Sequence, residues 1–166
     1  MGLRDKILRP DQLSAWRADL RARGQQLVVT NGCFDILHLG HVTYLEAARS
    51  LGDCLLVAVN DDASVRALKG EGRPLNPATD RAAVLAALSM VDAVTIFPEP
   101  DAVNLLRTVL PEVYVKGGDY TLDTINQTER RLVEQLGGRV VVLGGVPGRS
   151  TSITLNRLRQ VTLAGD

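Results

Sequence analysis

Gln26-Leu27-Val28-Val29-Thr30-Asn31-Gly32-Cys33-Phe34-Asp35-Ile36-Leu37-His38-Leu39-Gly40-His41 passes from an apolar, β-branched run into a glycine-bearing turn, and a helical pattern over residues 42–50 follows. A strand that turns into a helix N-terminus presents unpaired backbone N–H groups and the positive end of the helix dipole, which together favour an anion. The protein's two histidines, His38 and His41, stand around Gly40 in the first turn of that helix and aim further donors at the same place. Gly32 permits a tight turn, and Gly40 lets a bulky ligand approach the helix start. The stretch is neither G-x-G-x-x-G nor G-x-x-x-x-G-K-S/T, so dinucleotide and P-loop mechanics do not apply. These residue types point to phosphate handling, with His38 and His41 stabilising charge at a transferring phosphoryl group.

Outward from this stretch, short β-branched runs alternate with helical patterns. The strands expected are 26–30, 55–59, 93–97, 113–116 and 139–143. Helical patterns occupy 42–50, 63–68, 78–90, 101–110, 124–136 and 151–160. Near-continuous apolar strands imply a parallel sheet covered on both faces. The expected class is α/β: a doubly wound, mainly parallel, five-stranded Rossmann-like sheet with helices on both faces. Residues 1–24 read as a helical extension, with a helix over 11–23 packed outside, and residues 25–166 as the main body of a single domain. In such sheets ligands lie at the carboxyl ends of the strands, beside the topological switch point. The loops expected there are 31–41, 60–62 with 69–79, 117–122 and 144–150, all rich in polar and glycine residues.

The 166 residues suit one domain with a full core, and 45% apolar with 23% charged residues exclude disorder. Nineteen basic residues balance nineteen acidic ones, so no overall field draws in nucleic acid or an anionic membrane. Cys33 and Cys54 are too few for a disulfide framework. The first residues carry no apolar targeting core, and no segment reaches the length of a membrane span. The expectation is a cytoplasmic protein that binds neither nucleic acid nor membrane.

Several groups carry two readings. Cys33, Asp35, His38 and His41 could ligate a metal, but their spacing matches no common zinc pattern. Cys33 could act as a nucleophile beside a histidine base, or simply fill a crowded turn. Lys69 and Arg73 lie in a Gly- and Pro-bearing loop, where two cations can clamp a phosphate or merely be solvated. Asn60 and Asp61 follow a strand and suit either sugar hydroxyls or a turn with a helix cap. Arg81 reads as a surface or support residue. Lys116-Gly117-Gly118-Asp119-Tyr120 fits close approach to a base or a plain turn. Ser150 and Thr151 are hydroxyls at a helix start, hence N-caps or phosphate ligands.

His38-Leu39-Gly40-His41 resembles the H-x-G-H signature of the nucleotidyltransferase superfamily that includes the cytidylyltransferases and pantetheine-phosphate adenylyltransferase. Further blocks narrow the resemblance: Asn31 to Asp35, Leu68-Lys69-Gly70 with Arg73-Pro74-Leu75-Asn76-Pro77, Asp80-Arg81, Val91-Asp92, Val115 to Tyr120 and Ser150-Thr151-Ser152. Over about residues 25–159 the chain is similar to the D-glycero-β-D-manno-heptose 1-phosphate adenylyltransferases, which make ADP-heptose for bacterial lipopolysaccharide. The resemblance implies attack of a sugar 1-phosphate oxygen on the α-phosphorus of ATP, with pyrophosphate leaving and no covalent enzyme intermediate. It implies His38, His41 and Lys69 as catalytic residues. Thr30, Asn31, Gly32, Cys33, Phe34, Gly40, Lys116, Gly117, Asp119, Arg149, Ser150 and Thr151 would bind nucleotide, and Asp35, Asn60, Asp61, Lys69 and Arg73 the sugar phosphate. Arg149 and Arg157 are alternative cations for the triphosphate. Mg²⁺ would arrive on ATP rather than in a protein cage. A homo-oligomer is expected, as is a sugar kinase supplied by a separate protein, since many members are fused behind one. Cytidylyl transfer to glycerol 3-phosphate or another small phosphate, and nucleotide binding without turnover, are the alternatives.

Overall fold

A computed structural model describes residues 2–163. Six parallel strands form one sheet: β1 (Ile7–Leu8), β2 (Leu27–Gly32), β3 (Cys54–Asn60), β4 (Ala93–Phe97), β5 (Val113–Gly117) and β6 (Arg139–Leu143), in the spatial order β1-β4-β3-β2-β5-β6. The helices are α1 (Leu13–Ala22), α2 (Leu39–Arg49), α3 (Asp62–Lys69), α4 (Ala78–Ala86), α5 (Val103–Val109), α6 (Gln127–Gln135) and α7 (Thr151–Leu163). The doubly wound architecture is as the sequence implies. The strand count is corrected from five to six, because Ile7 and Leu8 add an edge strand against Val94 and Thr95 of β4. Residues 1–24 are therefore more than an outer helix. Two residues are too short for a periodicity signal, and β4 supplies the order.

Alternate residues of each strand face opposite layers. Leu27, Val29, Leu56, Ala58, Phe97 and Tyr114 join α1, α5 and α6 in one apolar cluster. Val28, Leu55, Val57, Val59, Val94 and Val115 pack with α2 and α4 in the other. β3 is buried along its whole length, which is why it reads as a continuous apolar run.

At the amino edge of the sheet one buried cation joins three elements. Arg17 of α1 donates from Nε to the Val109 carbonyl at 2.7 Å and from Nη2 to the Leu110 carbonyl at 3.0 Å. It also pairs with Glu112, whose second oxygen accepts from the Leu27 amide at 2.7 Å. The last carbonyls of α5 and the first amide of β2 are thus satisfied by side chains. Arg17→Ala should lower stability by about 3 kcal/mol, since it strips a buried charged donor from these acceptors. A fall in Tm of roughly 10 °C is expected by calorimetry, and an unchanged Tm would refute this account.

Candidate active site

The strand order reverses between β2 and β5, so the chain leaves these neighbours in opposite directions and opens a crevice at their carboxyl ends. Asn31 and Gly32 form one lip of it, and Lys116 and Gly117 the other. Phe34, with φ of 47°, turns the chain out of β2, and its buried ring lies 5.5 Å from that of His41. α2 then starts with His38 at its N-cap and His41 in its first turn.

The two imidazoles are 3.9 Å apart between ring centroids and inclined by 32°. Burial, and then the neighbouring His38, push the His41 pKa down from 6.5 to about 4. Burial lowers that of His38 as well. Both rings are therefore neutral near pH 7. The His38 amide points at His41 Nδ1 at 3.4 Å, which assigns the proton of neutral His41 to Nε2. Among the described residues, His38 Nδ1 is buried without a hydrogen-bond partner. A Cβ at Gly40 would lie 3.0 Å from the His38 ring and 3.6 Å from the Arg149 carbonyl, so the loop before α7 closes onto the start of α2. Thr151 reinforces this closure by donating to the Ile36 carbonyl at 3.4 Å.

Asp35 is buried, and its carboxylate is occupied. It accepts from Arg73 Nε at 2.6 Å, from the Leu75 amide at 2.9 Å and from the Asn76 amide at 2.9 Å. Burial pushes its pKa up, but these hydrogen bonds outweigh burial and hold it below the usual carboxylate range. Asn76 answers by donating to the Asp35 carbonyl at 2.7 Å. Arg81 closes the other side: it donates to the carbonyls of Cys33 and Asn76 and pairs with Asp62 at 2.8 Å. It is a support residue, but a buried one rather than a surface one. A cavity of about 180 Å³ between Phe34, Asp35, Asn76 and Arg81 is too small for a nucleotide.

The remaining candidates divide into those the structure ties up and those it leaves open. The Thr30 hydroxyl is buried against the Tyr44 hydroxyl, beneath the crevice. Asp61 caps α3, accepting from the Ser64 amide and hydroxyl, each at 2.7 Å. Asn60 is buried at the end of β3. Gly117 is required by packing, since a Cβ would sit 2.6 Å from the Tyr44 ring. Ser150 caps α7 by accepting from the Ile153 amide at 3.2 Å. Burial raises the Cys33 thiol pKa, which weakens it as a nucleophile. Lys69, Asp119 and Arg149 are exposed around the crevice, as is Arg157 on α7. Among the described residues no group of three or more His, Cys, Asp or Glu side chains can hold a metal ion, and no helix is long and apolar enough to cross a membrane.

Asn31 and Lys116 meet across the crevice, with Lys116 Nζ 2.7 Å from Asn31 Oδ1. Beneath them lie two residues the sequence did not single out, Tyr114 and Glu129. Glu129 stands at the third position of α6 behind the cap Asn126, so it reads as an ordinary capping residue. Tyr114 reads as core.

Residues 29–151 match the cytidylyltransferase-like family. The chain is 52% identical over 156 residues to the bifunctional protein HldE of Alkalilimnicola ehrlichii, covering 94% of this chain and 32% of that one. It spans about a third of the length of the curated relatives it matches. A lipopolysaccharide core biosynthesis protein of Thermoplasma volcanium aligns with a TM-score of 0.61 at 30% identity, over 74% of this chain and 98% of that one. Pantoate-β-alanine ligase of Francisella tularensis, complexed with an ATP analogue and β-alanine, shares the fold at a TM-score of 0.57 and 16% identity, over 88% and 68% of the two chains.

The neutral histidine pair predicts a pH signature. Unfolded His41 takes up a proton as pH falls below 6.5, whereas folded His41 does so only near 4. In that window the unfolded state binds more protons, so the stability of the folded protein falls as pH drops. Relative to His41→Gln, the wild-type protein should lose Tm between pH 7 and about pH 4.5. A constant difference in Tm would show that His41 is not held neutral.

Proposed function

The chain belongs to the cytidylyltransferase-like family, and from that membership we propose that it transfers AMP from ATP to D-glycero-β-D-manno-heptose 1-phosphate, giving ADP-heptose and pyrophosphate for lipopolysaccharide core synthesis. The observation that carries the reading is the pair of neutral imidazoles at the N-terminus of α2, facing the switch-point crevice. The 52% identity to HldE and the likeness to a lipopolysaccharide core biosynthesis protein support the substrate class.

In this reading an oxygen of the sugar 1-phosphate attacks the α-phosphorus of ATP, and the bond from that phosphorus to the pyrophosphate oxygen breaks in line. No proton has to be relayed, so positioning and charge stabilisation supply the catalysis. His41 donates from Nε2, and His38 with the first amides of α2 binds the same phosphates. Arg149 and the start of α7 hold the outer phosphates, and Asn31 to Phe34 the nucleotide. Mg²⁺ enters with the triphosphate as part of the substrate, neutralising charge on its oxygens. Lys69 and Arg73 receive the sugar phosphate, with Arg73 set in place by Asp35. A cytoplasmic setting follows from the use of ATP.

His41→Ala should lower kcat by about 10²-fold while leaving the fold intact, because the lost donor acts mainly in the transition state. Undiminished turnover would remove His41 from the mechanism. Lys69→Ala should raise KM for the sugar phosphate more than for ATP; the reverse pattern would assign Lys69 to the triphosphate. Pyrophosphate release with MgATP and heptose 1-phosphate, against MgCTP as comparison, tests the reaction itself. Faster release with CTP would overturn the choice of base, and no release with either nucleotide would overturn the acceptor.

A further inference from the structure

Glu129 is a carboxylate buried to 2% exposure at the active end of the sheet, and its contacts lead to the crevice. Its Oε1 accepts from the Ala102 amide at 2.8 Å. Its Oε2 lies 2.7 Å from the Tyr114 hydroxyl and 3.0 Å from Lys116 Nζ. The Tyr114 hydroxyl is also 2.7 Å from Asn31 Oδ1, the atom that accepts from Lys116. Asn31, Tyr114, Lys116 and Glu129 therefore close a ring of polar contacts that joins β2, β5 and α6 across the switch point.

A buried carboxylate is retained only when it is paired and hydrogen-bonded, and Glu129 is both. Lys116 is the exit from this network. Two of its three N–H donors are taken by Glu129 and Asn31, and its side chain keeps 17% exposure. A lysine on a flexible four-carbon stem, held at two points, presents its remaining donor in one direction. Asn31 Nδ2 likewise makes no hydrogen bond among the described residues; Lys116 donates to its Oδ1, and the single Tyr114 proton serves either that oxygen or Glu129 Oε2.

We propose that Glu129 is a positioning residue: from α6 it fixes the Lys116 ammonium against Asn31 at the crevice, where that ammonium meets a phosphate oxygen of the nucleotide. The proposal rests on the adenylyltransferase reading for its ligand, but the fixing of Lys116 can be measured without turnover. Replacing Glu129 by Gln keeps an oxygen for the Ala102 amide and turns an amide N–H₂ toward Lys116, two donors facing each other. Losing the carboxylate therefore frees Lys116 while sparing the junction of α5 and α6.

The full chain labelled with ¹⁵N-lysine gives the first readout. The Lys116 ammonium signal, identified by its loss in Lys116→Met, should be visible in the wild-type protein and vanish in Glu129→Gln. Its absence from the wild-type protein overturns the proposal, whether or not the variant folds. The second readout is MgATP binding by calorimetry. Glu129→Gln should weaken it about 10-fold, and by less than about twofold when Lys116 is already Met. Equal losses in both backgrounds would make Glu129 a structural residue and overturn the proposal. ATP binding without transfer to heptose 1-phosphate would defeat the acceptor assignment alone and leave the Glu129 assignment standing on the binding cycle.

Discussion

Pairing of β2 with β3 on one side and β5 on the other is the constraint on which the rest of the site depends. Both pairings are parallel, and their registers run through Thr30, which faces Val57 and Val115. Because side chains alternate, register decides which face each residue at the end of β2 serves. Thr30 reaches Tyr44 on the α2 side, and Asn31 reaches Tyr114 and Lys116 on the α6 side. A slip of one residue would exchange them, placing an amide in the apolar α2 layer and removing the acceptor from Lys116. The loop that carries His38 begins directly after β2 ends at Gly32 and turns at once through Phe34. The position of the imidazoles is thus set by the sheet.

The chain has no net charge, yet its crevice is built to be cationic. Two carboxylates at the site, Asp35 and Glu129, are buried and hydrogen-bonded, and each holds one cation in place. Their role is geometric, since paired charges contribute little field of their own at a distance. Lys69 and Arg149 form no ion pair among the described residues and stand exposed at the rim. The neutral imidazoles offer hydrogen-bond donors, and the exposed cations of the rim supply the positive field. Rings 3.9 Å apart would repel if both were charged, and the site would lose its geometry as it gained charge.

Much of this was legible in the residues. Strands β2 to β6 stand out as short runs rich in Val, Leu and Ile, as a parallel sheet requires, and the H-x-G-H turn points to a phosphate site. What escaped did so for physical reasons. β1 is two residues long, and its order comes from β4 and from Lys6, which donates to the Val91 carbonyl at 2.7 Å. Asp35 reads as a sugar ligand because carboxylates at strand ends commonly are, but burial demanded partners and the 73–76 loop supplied them. Asp61 carried two readings, and the cap is what the structure forms. Gly117 was legible as a close approach, though the group that approaches is Tyr44. Glu129 was invisible because its contacts lie far away along the chain, at Ala102, Tyr114 and Lys116.

Around the crevice, the polar groups that are saturated by the protein differ in role from those left open. Asp35, Arg81, Asp61 and Glu129 spend their hydrogen-bonding capacity on the protein, and each fixes a loop or a cation. Among the described residues, His38 Nδ1 finds no hydrogen-bond partner although it is buried. An unpartnered buried polar atom costs about 1–3 kcal/mol, a large share of a domain's net stability. It stands next to a helix N-terminus, two glycines and the exposed cations of the rim, where a bound ligand would complete the hydrogen bonding. In the proposed reading a bound phosphate supplies the partner His38 Nδ1 lacks, and the satisfied groups hold the crevice in shape.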